Sequence, residues 1–94
     1  MELNELRNQI DEIDRELVSL FIRRMSCSSE VAEYKRRNAL PVLDKEREIK
    51  LLEKIAELSG KEFEEYTAEL YKTILSLSRA YQQKLLDEED GEKQ

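Results

Sequence analysis

Basic side chains interrupt an apolar face in the first third of the chain. Residues at helical spacing there include Arg7, Arg24 and Lys35, interleaved with apolar residues such as Leu17 and Phe21. Burial of an unpaired cation is costly, so a buried cation needs an anionic partner. Alternatively, the long stems lie along apolar surface with their charged ends in water. The pattern indicates either a site for a small anion or a partly solvated helix face.

The spacing of these cations restricts which of them can share a site. In an α-helix Arg24 and Lys35 lie on one face, about 16 Å apart along the axis, so their side chains could hold one small dianion between them. Arg7 lies about 26 Å from Arg24 on the same helix and cannot reach that site within its own chain. An antiparallel two-fold partner would bring its own Arg7 there, which favours a homodimer with two shared sites.

Polar residues also occur on apolar faces later in the chain. Glu48 shares a face with leucine and isoleucine residues, and Ser78 and Gln82 lie one helical turn apart. Glu48 could equally form a surface ion pair with Lys45 or Lys50, which would contribute little to stability. Ser78 and Gln82 could be a polar pair satisfied inside a helix interface. Taken singly, none of these residues identifies a function.

The composition limits the chemistry of any site. The 94 residues include no His and a single Cys, Cys27, which excludes a zinc site, an intrachain disulfide and a Cys/His or Ser/His catalytic pair. We interpret Cys27 as a small packing residue. The net charge of −6 argues against nucleic acid or an anionic membrane as a partner. Without a signal-peptide pattern or a membrane-length apolar run, a cytoplasmic location is expected.

Three helices are predicted to position these residues. Charged residues make up 40% of the chain, with two Gly and one Pro, a composition typical of long helices. The predicted helices run from about Leu3 to Asn38, from an N-cap at Asp44 to about Leu58, and from about Phe63 to Leu86, with breaks at Pro41 and Gly60. We expect one all-α domain at residues 1–86 and an acidic, disordered tail at residues 87–94.

Oligomerisation is expected because so short a domain buries only a limited core, and long helices bury little by local folding.

Apolar faces are predicted for the two shorter helices. The buried face predicted for the second helix consists of Ile49, Leu52, Ile55 and Ala56. The apolar face predicted for the third helix consists of Phe63, Tyr66, Leu70, Ile74, Leu77, Tyr81 and Leu85.

The order of the polar residues resembles that of the all-helical chorismate mutases. The resemblance rests on Arg7, Arg24 and Lys35, then Asp44-x-x-Arg47-Glu48, then Ser78-x-x-x-Gln82. It covers roughly residues 3–86, and the strings LRNQIDEIDRELVSLFIRR, LPVLDKERE and SRAYQQKLL are also similar to the family. The resemblance implies three-helix chains in an intertwined homodimer, with long first helices that span both active sites.

The resemblance further implies a cofactor-free isomerase that converts chorismate to prephenate in phenylalanine and tyrosine biosynthesis. Arg24 and the partner subunit's Arg7 would bind the two substrate carboxylates. Lys35 and Gln82 would donate hydrogen bonds to the ether oxygen.

The remaining matched residues receive supporting roles from the same resemblance. Glu48, with the Asp44 segment, would hold the ring hydroxyl, and Ser78 would contact a carboxylate. Arg47 would lie beside the site in a positioning role. Asp14 matches an acid that is expected to be structural, as an ion-pair partner for a neighbouring arginine.

One stretch departs from the family pattern. Ser26, Cys27, Ser28 and Ser29 stand where relatives tend to carry larger apolar residues or alanine, which concerns helix packing rather than the chemistry.

Two other functions stay open. An isochorismate-pyruvate lyase has the same fold and a similar anionic substrate. A noncatalytic helical dimerisation module would use the polar core positions only to set register.

Overall fold

The computed structural model consists of three α-helices, and it describes the backbone of residues 1–92 and the side chains of residues 1–89. Helix α1 spans Leu3–Arg37, α2 spans Lys45–Ser59 and α3 spans Glu64–Glu92. Between residues 1 and 92 no strand occurs, so the predicted all-α fold with three helices is confirmed. In this part of the chain no helix combines the length and the apolar character needed to cross a membrane.

The turn after α1 is fixed by backbone hydrogen bonds. The N–H of Leu40 donates to the carbonyl of Lys35 at 2.8 Å, and that of Ala39 donates to the carbonyl of Arg36 at 3.3 Å. This pairing is the Schellman motif. Ala39 takes a φ of 52°, in the left-handed region that is disfavoured for residues with a Cβ. The chain therefore reverses immediately after the helical turn that carries Lys35.

The two ends of α2 follow from single residues, as predicted. Oδ1 of Asp44 accepts a hydrogen bond from the backbone N–H of Arg47 at 3.1 Å and so caps the helix. Gly60 follows the last helical residue with a φ of 75°. A Cβ built on Gly60 would meet no atom within 4 Å, so conformation and not space requires the glycine.

Helix α3 is longer than the sequence predicts. The predicted end at about Leu86 is wrong because the helix continues to Glu92, and residues 87–92 of the predicted disordered tail are helical. Oε2 of Glu89 lies 2.9 Å from Nε of Arg36 in α1, and Nε2 of Gln83 donates to Asp87 at 2.9 Å. These contacts tie the polar end of α3 to α1 and to the preceding turn of α3. Residues 93–94 of the predicted tail lie outside the described residues.

Helix α3 packs against both α1 and α2, and it does so with a face that hydropathy does not predict. The buried residues are Ala32, Ile55 and Leu75, together with the polar Ser28, Ser78 and Gln82. The predicted apolar face of α3 is only partly covered in the chain. Tyr66 and Leu70 are 75% and 53% accessible, whereas Ile74, Tyr81 and Leu85 are half-buried. In α2 the predicted face is confirmed at Ile55, whereas Ile49 is 51% exposed. Hydrogen bonds among the polar side chains allow the observed face to be buried.

The first half of α1 buries none of its residues within the chain. All of the first twenty residues are exposed, including Leu3, Leu6, Ile10, Ile13 and Leu17, which are 42–60% accessible. The molecule measures 59 × 27 × 15 Å and has a radius of gyration of 16.9 Å. A compact domain of this length would have a radius of gyration of about 12 Å. The chain therefore leaves a long apolar face without a partner of its own.

Candidate active site

A cavity of about 320 Å³ lies between the three helices, near the C-terminal half of α1. Helix α1 contributes Arg24 and Lys35 to its lining, the start of α2 contributes Arg47 and Glu48, and α3 contributes Gln82 among others. Sites for small molecules typically have volumes of about 300–1,000 Å³. The cavity is therefore large enough to hold a compact metabolite.

Lys35 is held in place by two acceptors. Its Nζ donates to the backbone carbonyl of Val42 at 2.5 Å and to Oε1 of Gln82 at 3.2 Å. Val42 lies in the loop after α1, so the turn at Ala39 brings this carbonyl back to the side chain. An ammonium group carries three hydrogens, and the third is available to a ligand in the cavity.

Gln82 begins a chain of hydrogen bonds that runs from the cavity into the helix interface. Its Nε2 donates to Oγ of Ser78 at 3.3 Å, and that Oγ lies 2.6 Å from Oγ of Ser28. Ser28, Ser78 and Gln82 are each 6% exposed, and every buried side-chain N or O of residues 1–89 has a partner. Because Oε1 accepts from Lys35, the amide orientation is fixed and one Nε2 hydrogen is free to be donated.

Glu48 pairs with Arg79 and not with Lys45 or Lys50. Nη1 of Arg79 donates to Oε1 of Glu48, which joins α3 to α2 at the cavity. The two side chains are 35% and 21% exposed, so solvent screens this pair less than a fully exposed one.

The cavity carries an excess of positive charge. Four cationic side chains line it against the two carboxylates of Asp44 and Glu48, an excess of two. Since Glu48 pairs with Arg79, the surplus belongs to Arg24, Lys35 and Arg47. In a chain of net charge −6, this concentration of cations is complementary to a ligand with two negative charges.

The chain is similar to known proteins over most of its length. The family model described as chorismate mutase type II matches residues 6–83, most of the chain. The chain belongs to this family. The chorismate mutase of Methanocaldococcus jannaschii is 31% identical over 88 residues, which cover 92% of this chain and 89% of the relative. The resemblance inferred from the polar residues is thus confirmed.

Two longer relatives match only over a small part of their length. The bifunctional chorismate mutase/prephenate dehydratase of Aquifex aeolicus is 32% identical over 89 residues, 89% of this chain and 25% of the relative. The T-protein of Haemophilus influenzae is 43% identical over 51 residues, 54% of this chain and 14% of the relative. The chain therefore spans a quarter or less of the length of these two proteins.

In this chorismate mutase family member, the structure brings seven of the eight predicted site residues into one cavity: Arg24, Lys35, Asp44, Arg47, Glu48, Ser78 and Gln82. Arg7 is exposed on the first half of α1 and does not line the cavity. Its distance of about 26 Å from Arg24 along the helix accounts for this. Asp14 is also exposed, and none of the ion pairs among the described side chains includes it.

Some residues that line the cavity of this chorismate mutase family member were not predicted from the sequence, and one interpretation was wrong. Arg79 and Ser28 line the cavity, although neither was predicted as a site residue. The signals for them were weak: Arg79 adjoins Ser78, and Ser28 lies on the face that carries Arg24 and Lys35. Cys27 lines the cavity as an exposed thiol, so within this chain it is not the packing residue that was predicted.

Proposed function

We propose that this chain is a chorismate mutase that converts chorismate to prephenate in the cavity between its helices, in the biosynthesis of phenylalanine and tyrosine. The observation that carries the proposal is the contact between Lys35 and Gln82, which holds two hydrogen-bond donors side by side in a cation-rich cavity. Membership of the chorismate mutase family supports the same activity. The whole reaction is an internal rearrangement of one dicarboxylate.

The first task of the site is to fold a flexible substrate. In the proposed mechanism Arg24 and Ser78 hold one carboxylate, while the partner subunit's Arg7 holds the other. Arg47 adds positive potential beside them. Fixing both carboxylates selects the chair in which the bond-forming carbons meet, and such orientation can account for much of a unimolecular rate enhancement.

The second task is to stabilise the transition state. As the C–O bond breaks and the C–C bond forms, negative charge accumulates on the ether oxygen, and no proton has to be transferred. Lys35 and Gln82 each have a hydrogen left over from their internal bonds. Donors that are already in place stabilise the developing charge more than the ground state, and this difference accelerates the reaction.

The third task is to hold the ring. We assign the ring hydroxyl to Glu48, together with the Asp44 segment. Oδ1 of Asp44 caps α2 and Oε1 of Glu48 pairs with Arg79, so each carboxylate keeps one oxygen that can accept a hydrogen bond from the substrate.

A homodimer with shared sites is part of this proposal. The exposed apolar residues on the first half of α1 would be buried against a second copy. A groove of about 450 Å³ between α1 and α3 is lined by Leu17, Phe21, Leu70, Ile74 and Leu77 among others, and it offers an apolar surface for such contact. An antiparallel arrangement would place each Arg7 at the other subunit's cavity.

The test is turnover of chorismate by purified protein that has been dialysed against EDTA. We expect loss of chorismate with formation of one prephenate per chorismate, at a rate that EDTA does not reduce. Isochorismate is assayed in parallel, because release of pyruvate from it would indicate a lyase instead. No turnover of either compound would favour a noncatalytic dimerisation module. The cytoplasmic location and the independence of any cofactor stay predictions from the sequence.

A further inference from the structure

Arg79 contacts a carboxylate at the cavity. It lies on α3, 31 positions from Glu48, and Nη1 donates to Oε1 of that residue on α2. Both residues line the cavity. The orientation of the Glu48 carboxylate therefore depends on a cation supplied by a different helix.

The ion pair uses only one of the two oxygens of the Glu48 carboxylate. Oε2 of Glu48 has no hydrogen-bond partner among residues 1–89, since only Oε1 contacts Arg79. An ionised carboxylate is purely an acceptor, and each of its oxygens can accept. With one oxygen fixed by Arg79, the other is an acceptor of defined direction. Without Arg79, Glu48 would exchange among several rotamers, and a ligand would have to restrict them on binding.

We propose that Arg79 is a positioning residue that holds Glu48 so that Oε2 accepts a hydrogen bond from the ring hydroxyl of the substrate. The inference rests on the proposed function, which assigns the hydroxyl to Glu48. Arg79 acts through Glu48 and does not touch the reacting atoms. It therefore determines selectivity for a ring that carries the hydroxyl, because only that substrate uses the oriented oxygen.

The test compares chorismate with the chorismate analogue that lacks the ring hydroxyl. We expect Arg79→Met to raise KM for chorismate about tenfold, the effect of losing about one hydrogen bond to a charged group, and to change kcat less than about threefold. For the analogue, the KM and kcat of Arg79→Met should equal those of the wild type. Arg79→Lys should restore part of the affinity for chorismate, because an ammonium can also contact the carboxylate. Lys84 is a cation on the same helix whose side chain is 69% exposed. The control variant Lys84→Met should change neither the KM for chorismate nor the KM for the analogue.

A double-mutant cycle separates positioning from a structural role. Glu48→Gln combined with Arg79→Met should lose no more kcat/KM on chorismate than Glu48→Gln alone, since Arg79 has nothing left to position. Equal losses on chorismate and on the analogue, with a lower urea midpoint, would show that the pair only stabilises the fold and would overturn the proposal. An unchanged KM in Arg79→Met would overturn it while leaving the mutase activity intact. If the wild type does not convert chorismate, the proposed function fails, and the role of Arg79 fails with it.

Discussion

Lys35 on α1 and Gln82 on α3 are 47 positions apart, and Nζ of Lys35 lies 3.2 Å from Oε1 of Gln82. The contact uses the acceptor end of the amide and one ammonium hydrogen, so each side chain keeps a donor. Lys35 is additionally tied to the loop through Val42. The donor pair is therefore preorganised in the free enzyme, which is the condition under which donors lower a barrier most.

Removal of Lys35 should be the most damaging single change. We expect Lys35→Ala to lower kcat by about 10²–10³-fold or more, as for loss of one preorganised donor at a developing oxyanion. Steady-state kinetics on chorismate measure this. Lys54→Ala, which removes an exposed lysine of α2, is the matched control and should be unaffected. Activity of Lys35→Ala within tenfold of the wild type would remove this residue from the site.

Gln82→Glu should convert a pH-independent rate into a pH-dependent one. The amide donates at any ordinary pH, so the wild-type kcat should vary little between about pH 5 and 8. The variant side chain donates only when it is protonated, so it should be slow at neutral pH and faster as the pH falls. Profiles at saturating chorismate provide the comparison. A flat profile at the wild-type rate would mean that Gln82 does not contact the breaking bond.

Ser28 and Ser78 should differ in importance although they share one hydrogen bond. Ser28→Ala leaves Ser78 with its bond from Gln82, so kcat/KM should stay within about threefold of the wild type. Ser78→Ala removes both links and the proposed contact to a carboxylate, and we expect a loss of about tenfold or more, equivalent to about one hydrogen bond. Equal effects of the two substitutions would contradict this order.

The shared sites can be tested by mixing two inactive variants. Arg7→Ala and Lys35→Ala should each be nearly inactive as homodimers. After the two are unfolded together and refolded, half of the dimers are mixed and hold one intact site of two, so about a quarter of the sites should work. Native mass spectrometry verifies the mixed dimers. Mixed dimers without recovered activity would show that each site is built within one chain.

In the turn after α1, a glycine substitution should stabilise the protein, whereas glycine in a helix destabilises it. Ala39 has a φ of 52°, which glycine adopts without steric cost, so Ala39→Gly should raise the free energy of unfolding by about 0.5–1 kcal/mol. Ala80→Gly, on an exposed position of α3, should lower it by about 1 kcal/mol. Urea unfolding at equal protein concentrations measures both. A destabilised Ala39→Gly would mean that the turn is not strained.

Features that depend on one residue and its neighbours were predictable from the sequence. Asp44 begins α2 and Gly60 ends it because each fixes its own backbone and the adjacent hydrogen bonds. The end of α3 was not predictable, since it depends on the tertiary ion pair between Glu89 and Arg36. The segment after Leu86 has no apolar periodicity, so its sequence alone does not indicate that such an ion pair forms.

The site residues divide in the same way. Cations on an apolar face indicate an anionic ligand, so Arg24 and Lys35 could be found from their spacing. Arg79 could not, because its contact with Glu48 depends on how α2 and α3 face each other. On α3 hydropathy favours burial of Tyr66 and Leu70, which are exposed. The buried residues Ser78 and Gln82 form the hydrogen-bonded polar pair that was one of the two expectations for them.

Helix α1 runs without interruption through 35 residues and carries Arg7 near one end and Lys35 near the other. One residue inserted between them would rotate Arg7 by about 100° and shift it by about 1.5 Å relative to Lys35. Seven inserted residues would nearly restore the face but would shift Arg7 by about 10 Å. In the proposed dimer either insertion would damage both sites at once. Insertions and deletions between Arg7 and Lys35 should therefore be absent from active members of the lineage.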